Sequence, residues 1–224
     1  MGIATKHDSQ RVIYHALDIH DSDSIDAFHS KIPKVDVLIN NAGINVGDDQ
    51  SVEGAQKTMD TNYRGTLRMC QGFIPKMNKN GRIVNLSSTA SSLRLYSKDI
   101  QQRFRSASQL DEIEKLADEY IASLQGEPKS GWPPLRQSYS VSKACMNAFT
   151  AVLAKENPDI TINACCPGWV ATDMGSIMGK APKSPEDGAK IPIRLAFDNL
   201  KGVNGRYWGN DSISDTGSGK VQEW

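Results

Sequence analysis

Apolar residues fall in short continuous runs, separated by stretches whose apolar positions recur at helical spacing. Val35-Asp36-Val37-Leu38-Ile39-Asn40 reads as a strand, stopped by Asn40-Asn41-Ala42-Gly43. Gly81 to Ser87 and Ile160 to Cys166 are two more, the latter ended by Pro167-Gly168. Arg11 to Asp18 mixes β-formers and ends on an acid, which predicts a further strand, and Gly205 to Gly209 predicts a short one. Between them Ile25, Phe28 and Ile32 have helical spacing, as do Ala144 to Lys155 and Pro185 to Phe197. The last of these opens with Ser184 before Pro185 and Asp187, an N-cap with proline in the first turn. Nearly continuous apolar strands alternating with helices predict an α/β fold, a doubly wound parallel sheet covered on both faces.

Residues 93–137 interrupt that rhythm. Leu110, Ile113, Leu116, Ala117, Tyr120, Ile121 and Leu124 form an apolar helical stripe. Ser108 is placed to cap its start, and Gly126 with Pro128 to end it. This segment reads as a folded helical insertion within a single domain spanning 1–224. Asp211 to Lys220 reads as a polar, mobile loop.

Charge changes the picture by exclusion. Lys plus Arg and Asp plus Glu are equal at 26 each, so no global field favours nucleic acid or an anionic membrane. No apolar run approaches the ~20 residues that span a bilayer. The polar start, Met1 to Asp8, does not resemble a signal peptide, and Lys6 breaks a myristoylation pattern at Gly2. Four cysteines, two of them adjacent (Cys165, Cys166), provide neither a disulfide framework nor a metal-ligand spacing. A reducing, cytoplasmic setting and no metal are the expectation.

The candidate chemistry lies at predicted strand ends, where open parallel sheets bind ligands. Asp18, Asn41, Ser88 and Gly168 fall there, and Tyr139 opens the next helix. Tyr139 and Lys143 are four residues apart, one helical turn, on one face. A nearby ammonium favours tyrosinate and is expected to draw the phenol below its ordinary pKa of ~10. Each signal alone has a plain reading: a turn at Asn-Asn-Ala-Gly, a strand end at Ser87-Ser88, a loop breaker at Pro167-Gly168, a helix-interior amide at Asn62. Their order along the chain favours a joint, functional one.

With these residues the chain resembles the short-chain dehydrogenase/reductase family, through Asn40 to Gly43, Asn62, Ser88, Tyr139 with Lys143, and Pro167-Gly168. Within it the chain is similar to the monomeric carbonyl reductases. That likeness includes the 51 positions from Ser88 to Tyr139, Cys165 to Val170, Thr172-Asp173-Met174, Lys183 to Glu186, and Glu223-Trp224. The resemblance implies a Rossmann-like fold and reduction of a small-molecule carbonyl (ketone, aldehyde or quinone) by NADPH, in a monomer. It implies Tyr139 as proton donor, Ser88 (with Ser87 as fallback) bonding the developing alkoxide, Lys143 on the tyrosine and a ribose, and Asn62 holding a water. Asp18 and Ile19 would meet the adenine, Asn41 the adenine-side ribose, and Val170 to Thr172 the carboxamide, with Ala42, Gly43, Pro167 and Gly168 also binding the cofactor. Ile44 to Gly47, the insertion and Ser176 to Ala181 would line the substrate.

The family pattern opens with a strand, a Gly-rich turn, a helix and a second strand that have no counterpart here. The expectation is therefore an N-terminally truncated version, either from an incomplete coding sequence or as a real short product. The competing reading is a catalytically impaired binding or regulatory protein that lost its dinucleotide loop. A nucleotide-sugar epimerase, which shares the Tyr–Lys spacing, would need a larger C-terminal domain.

Overall fold

The computed structural model describes residues 12–46, 51–125, 131–133, 137–177 and 179–224. Gly47, Gly126, Pro128 and the chain start, all invoked above, lie outside them. Five strands form one sheet: β1 (Val35–Asn40), β2 (Met77–Leu86), β3 (Thr161–Cys165), β4 (Tyr207–Gly209) and β5 (Lys220–Gln222). They lie side by side in that order, β1 to β4 parallel and β5 antiparallel to β4. The helices are α1 (Ser22–Lys31), α2 (Val52–Met59), α3 (Thr66–Phe73), α4 (Lys98–Ser106), α5 (Leu110–Ser123), α6 (Ser138–Glu156), α7 (Asp173–Ser176) and α8 (Pro185–Phe197). A π-helical turn, Asp60–Gly65, joins α2 to α3. The arrangement is Rossmann-like.

Period-two side-chain alternation explains why the central strands are apolar throughout. Ile83 packs into a core with Phe149, Val152 and Tyr63, whereas its neighbour Val84 faces Ile191 and Leu195 of α8. Both are buried because helices cover both faces. Asn40 and Asn85 stand at paired register positions, and the Asn40 Nδ2 donates to Asn85 Oδ1 at 2.9 Å. Asn85 in turn donates to Thr150 Oγ1 on α6 at 2.9 Å. This buried amide chain stitches two strands to a helix just below the strand ends.

The expected strand at residues 11–18 is corrected. Residues 12–18 form no ladder, and Ile13 and Tyr14 are 78% and 84% exposed. Among the described residues β1 pairs only with β2, so no neighbouring strand takes up the amides of 12–18, and the Asp18 N–H donates instead to the Ser24 hydroxyl at 2.9 Å. β1 is accordingly a sheet edge, with Ile39 partly exposed.

The insertion folds as α4 and α5. The α5 stripe is buried through Ile113, Leu116, Ala117 and Tyr120, and Tyr96, Phe104, Trp132 and Trp224 pack edge-on around it. Its cap differs from expectation: Gln109 is the N-cap, and the Glu112 carboxylate accepts the N–H groups of Ser108 and Gln109. A carboxylate reaching back over the first turn outcompetes the Ser108 hydroxyl, which itself donates to Glu112. Residues 211–220 also differ from a loose loop. Asn210 donates to the Asp215 and Gly217 carbonyls, Lys220 pairs with Asp211 at 2.8 Å, and Lys220 begins β5.

Candidate active site

The helix α6 begins where β2 has just ended, and that geometry brings Ser88, Tyr139 and Lys143 together. Ser88 caps a single 3₁₀ turn, its Oγ accepting the Ala90 N–H at 3.1 Å, and it also hydrogen-bonds the Tyr139 phenol. Ser87 points the other way. It is buried, and its hydroxyl donates to the Lys143 carbonyl at 3.2 Å.

Lys143 is buried, and its Nζ donates to the Leu86 carbonyl at 2.6 Å. Its ammonium lies 5.5 Å from the centre of the Tyr139 ring. Burial lowers its pKa to about 8. Tyr139 moves the opposite way to expectation: burial raises its pKa, and the Ser88 hydrogen bond only partly offsets this. The Lys143 charge is not among the causes of the Tyr139 shift, and withdrawal from water dominates. At neutral pH the phenol is protonated.

Asn62 sits on the π-helical turn, fully buried. Its Oδ1 accepts the Ile44 N–H at 2.8 Å, and its Nδ2 donates to the Ile44 carbonyl at 2.8 Å and to Ser142 Oγ at 3.2 Å. Asn62 therefore pins the turn after β1 to α6. A Cβ on Gly43 would stand 3.0 Å from Asn62 Oδ1 and 3.7 Å from Lys143 Nζ, so the glycine lets the backbone run close to both polar groups. Asn41 and Ala42 are exposed at the same strand end. Asp18 accepts the His20 N–H, the Ile19 carbonyl packs on Gly65, and His20 Nδ1 lies 3.3 Å from the Thr61 hydroxyl. Residues 18–20 thus lie against the turn that carries Asn62, although not at a strand end.

Beyond β3, Gly168 has φ +86°, and a Cβ there would fall 2.6 Å from the Ile213 carbonyl. Val170 bridges to Lys183, and Thr172 caps α7 by accepting the Gly175 N–H at 3.2 Å. Ser142 and the Leu86 carbonyl also border these residues and are new relative to the sequence reading, whereas Ile44 is expected there to line the substrate and Lys183 is part of the family likeness. Ser142 could have been inferred from its position one residue before Lys143 on the same helix. The likeness at Lys183 to Glu186 carries no sign that the Lys183 side chain is buried.

Among the described residues no cluster of three or more His, Cys, Asp or Glu is placed to hold a metal ion. No described helix is long and apolar enough to cross a membrane.

A family model described as "short chain dehydrogenase" matches residues 2–98 and 120–182. The chain belongs to the short-chain dehydrogenase family. The match omits residues 99–119, which carry most of α4 and most of α5. The chain is 36% identical to carbonyl reductase (NADPH) 1 of Bos taurus over 215 residues, covering 87% of this chain and 76% of that protein. The human protein of the same name is also 36% identical, over 231 residues, with 94% and 79% covered. Among solved structures, salutaridine reductase from Papaver somniferum superposes with a TM-score of 0.77 at 26% identity, over 89% of this chain and 82% of that one.

Proposed function

We propose that the protein is an NADPH-dependent carbonyl reductase. The observation that carries this reading is the meeting of the Ser88 hydroxyl, the Tyr139 phenol and the Lys143 ammonium at the ends of parallel strands. The relatives named as NADPH carbonyl reductases support the cofactor and the substrate class.

The residues present fit such a cofactor. Gly43 opens a cradle beside Asn62 and Lys143. Lys143 spends one of its three N–H donors on Leu86, which leaves others for a ribose hydroxyl. Asn41, Ala42 and Gly43 border the adenine-side ribose, with Asp18 and Ile19 toward the adenine. Pro167, Gly168, Val170 and Thr172 border the carboxamide side. When bound, NADPH supplies the hydride that reaches the carbonyl carbon.

The rest belongs to the protein. Ser88 donates a hydrogen bond to the carbonyl oxygen as negative charge grows on it. Tyr139 delivers its proton to that oxygen, and burial suits it to this direction by keeping it protonated at neutral pH. Lys143 then replenishes the phenol, its lowered pKa of about 8 making it a ready donor. Asn62 holds the Gly43–Ile44 turn and retains a lone pair for a water on the path from Lys143 to solvent. Substrates are small aldehydes, ketones or quinones, bordered by Ile44 to Val46, Ser176, Ile177 and Gly179 to Ala181. Four buried, unpaired thiols suit a reducing compartment, in line with a cytoplasmic enzyme.

Purified protein mixed with NADPH and a panel of aldehydes, ketones and quinones tests this by following loss of NADPH absorbance. Turnover of at least one carbonyl class is expected. Binding seen as a change in NADPH fluorescence, with no turnover on any carbonyl, would instead mark a binding protein.

A further inference from the structure

A lysine is almost never buried without a task. Lys183 is 1% exposed and lies outside the Ser–Tyr–Lys constellation. Its Nζ donates to the Pro167 carbonyl at 2.7 Å. Its main chain is engaged with the same loop: Lys183 N–H donates to the Trp169 carbonyl at 3.2 Å, and its carbonyl accepts the Ala171 N–H at 2.8 Å. A Cβ on Gly168 would stand 2.9 Å from both Cδ and Nζ of Lys183, so the lysine stem passes directly beneath that glycine. On the opposite side the Trp169 N–H donates to the Ile213 carbonyl at 2.9 Å. One buried side chain and its own backbone therefore hold residues 167–171 at three points.

We infer that Lys183 is a positioning residue that fixes the Pro167–Thr172 loop in its cofactor-receiving shape, acting through the Pro167 carbonyl. This rests on the reading that the loop borders the carboxamide side of NADPH. Gly168 sits in the left-handed region, and the loop's other hydrogen bonds, from Trp169 to the Ile213 and Gly175 carbonyls, leave the Pro167 carbonyl to Lys183. A charge-assisted bond to a carbonyl inside the protein supplies the missing tether. A neutral side chain of similar length leaves Pro167 O unpaired in a partly buried place.

The test compares Lys183→Met, which keeps length without a donor, with Lys183→Gln, which keeps a donor without the charge. Amide hydrogen exchange of the free protein is read at Trp169 and Ala171 against Ile162 and Ala164 of β3. In Lys183→Met the loop amides should exchange about tenfold faster or more while the β3 amides hold, and Lys183→Gln should fall between it and wild type. KM for NADPH should rise about tenfold in the Met variant with kcat at saturation nearly unchanged, the pattern of lost ground-state binding. Should the Met variant fail to fold, the Gln variant carries the same comparison. Loop amides that match wild type, or that loosen only in step with β3, overturn the inference. A wild-type protein that takes no NADPH would overturn the functional reading alone, because the exchange measurement needs no cofactor.

Discussion

The Lys143 ammonium stands 5.5 Å from the Tyr139 ring centre and gives a 2.6 Å hydrogen bond to the Leu86 carbonyl, so the end of β2 holds the cation against the phenol's ring. Each is held toward its neutral form by burial. A protonated phenol is the form required to give a proton to a reduced carbonyl.

Stability should report the Lys143 shift. The folded pKa is about 8 and the ordinary value 10.5, so between those limits the unfolded chain binds a proton that the folded one has released. Stability attributable to this residue therefore rises with pH across that window, and the full penalty applies below it. Relative to Lys143→Met, wild type should gain up to roughly 3 kcal/mol on going from neutral to strongly alkaline pH. Tyr139 titrates in both proteins, so its contribution largely cancels. Denaturant unfolding of the pair over a pH series checks this, and a flat difference would contradict it.

Asn62 should matter through Ile44. Asn62→Leu leaves both the N–H and the C=O of Ile44 without their partner and should cost ~1–3 kcal/mol. The Ile44 amide should lose protection before the sheet does. A stability change within ~0.5 kcal/mol, the range of an ordinary surface substitution, would show that the turn is held by other means.

The sheet centre and the Tyr–Lys face were legible in the sequence for physical reasons. Val35–Asn40 and Ile160–Cys166 are short, nearly continuous apolar runs, and each ends in residues that break a strand. Pro185–Phe197 announced itself through Ser184, and the helix has those bounds. Val12 to Leu17 has the composition of a strand but no ladder to join, which composition cannot reveal. Lys220–Gln222 is polar and three residues long, and only its pairing with Tyr207–Gly209 makes it a strand. At the site, the Tyr–Lys spacing correctly placed the two side chains on one face. The direction of the Tyr139 shift depended on burial, which spacing does not encode.

A monomer is expected in solution. The apolar side of α5 is already spent within the chain, with Ile113, Leu116 and Tyr120 at most 2% exposed. Arg64, on the same turn as Asn62, pairs with Asp60 of that turn and with Glu114 and Asp118 of α5, fastening the insertion over this flank. Light scattering at micromolar concentration should give a mass near 24.5 kDa. Twice that mass would show that another surface associates.

The most direct measurement follows the transferred atom. Wild type and Tyr139→Phe are incubated with a carbonyl substrate and NADPH deuterated at its transferable position, and the alcohol is examined by mass spectrometry. Wild type should place deuterium on the former carbonyl carbon. Tyr139→Phe should bind NADPH comparably yet form product ~10²–10⁴-fold more slowly, the usual share of general acid catalysis. Unlabelled alcohol from wild type, or labelled alcohol from Tyr139→Phe at an undiminished rate, would contradict hydride transfer with Tyr139 as the proton donor.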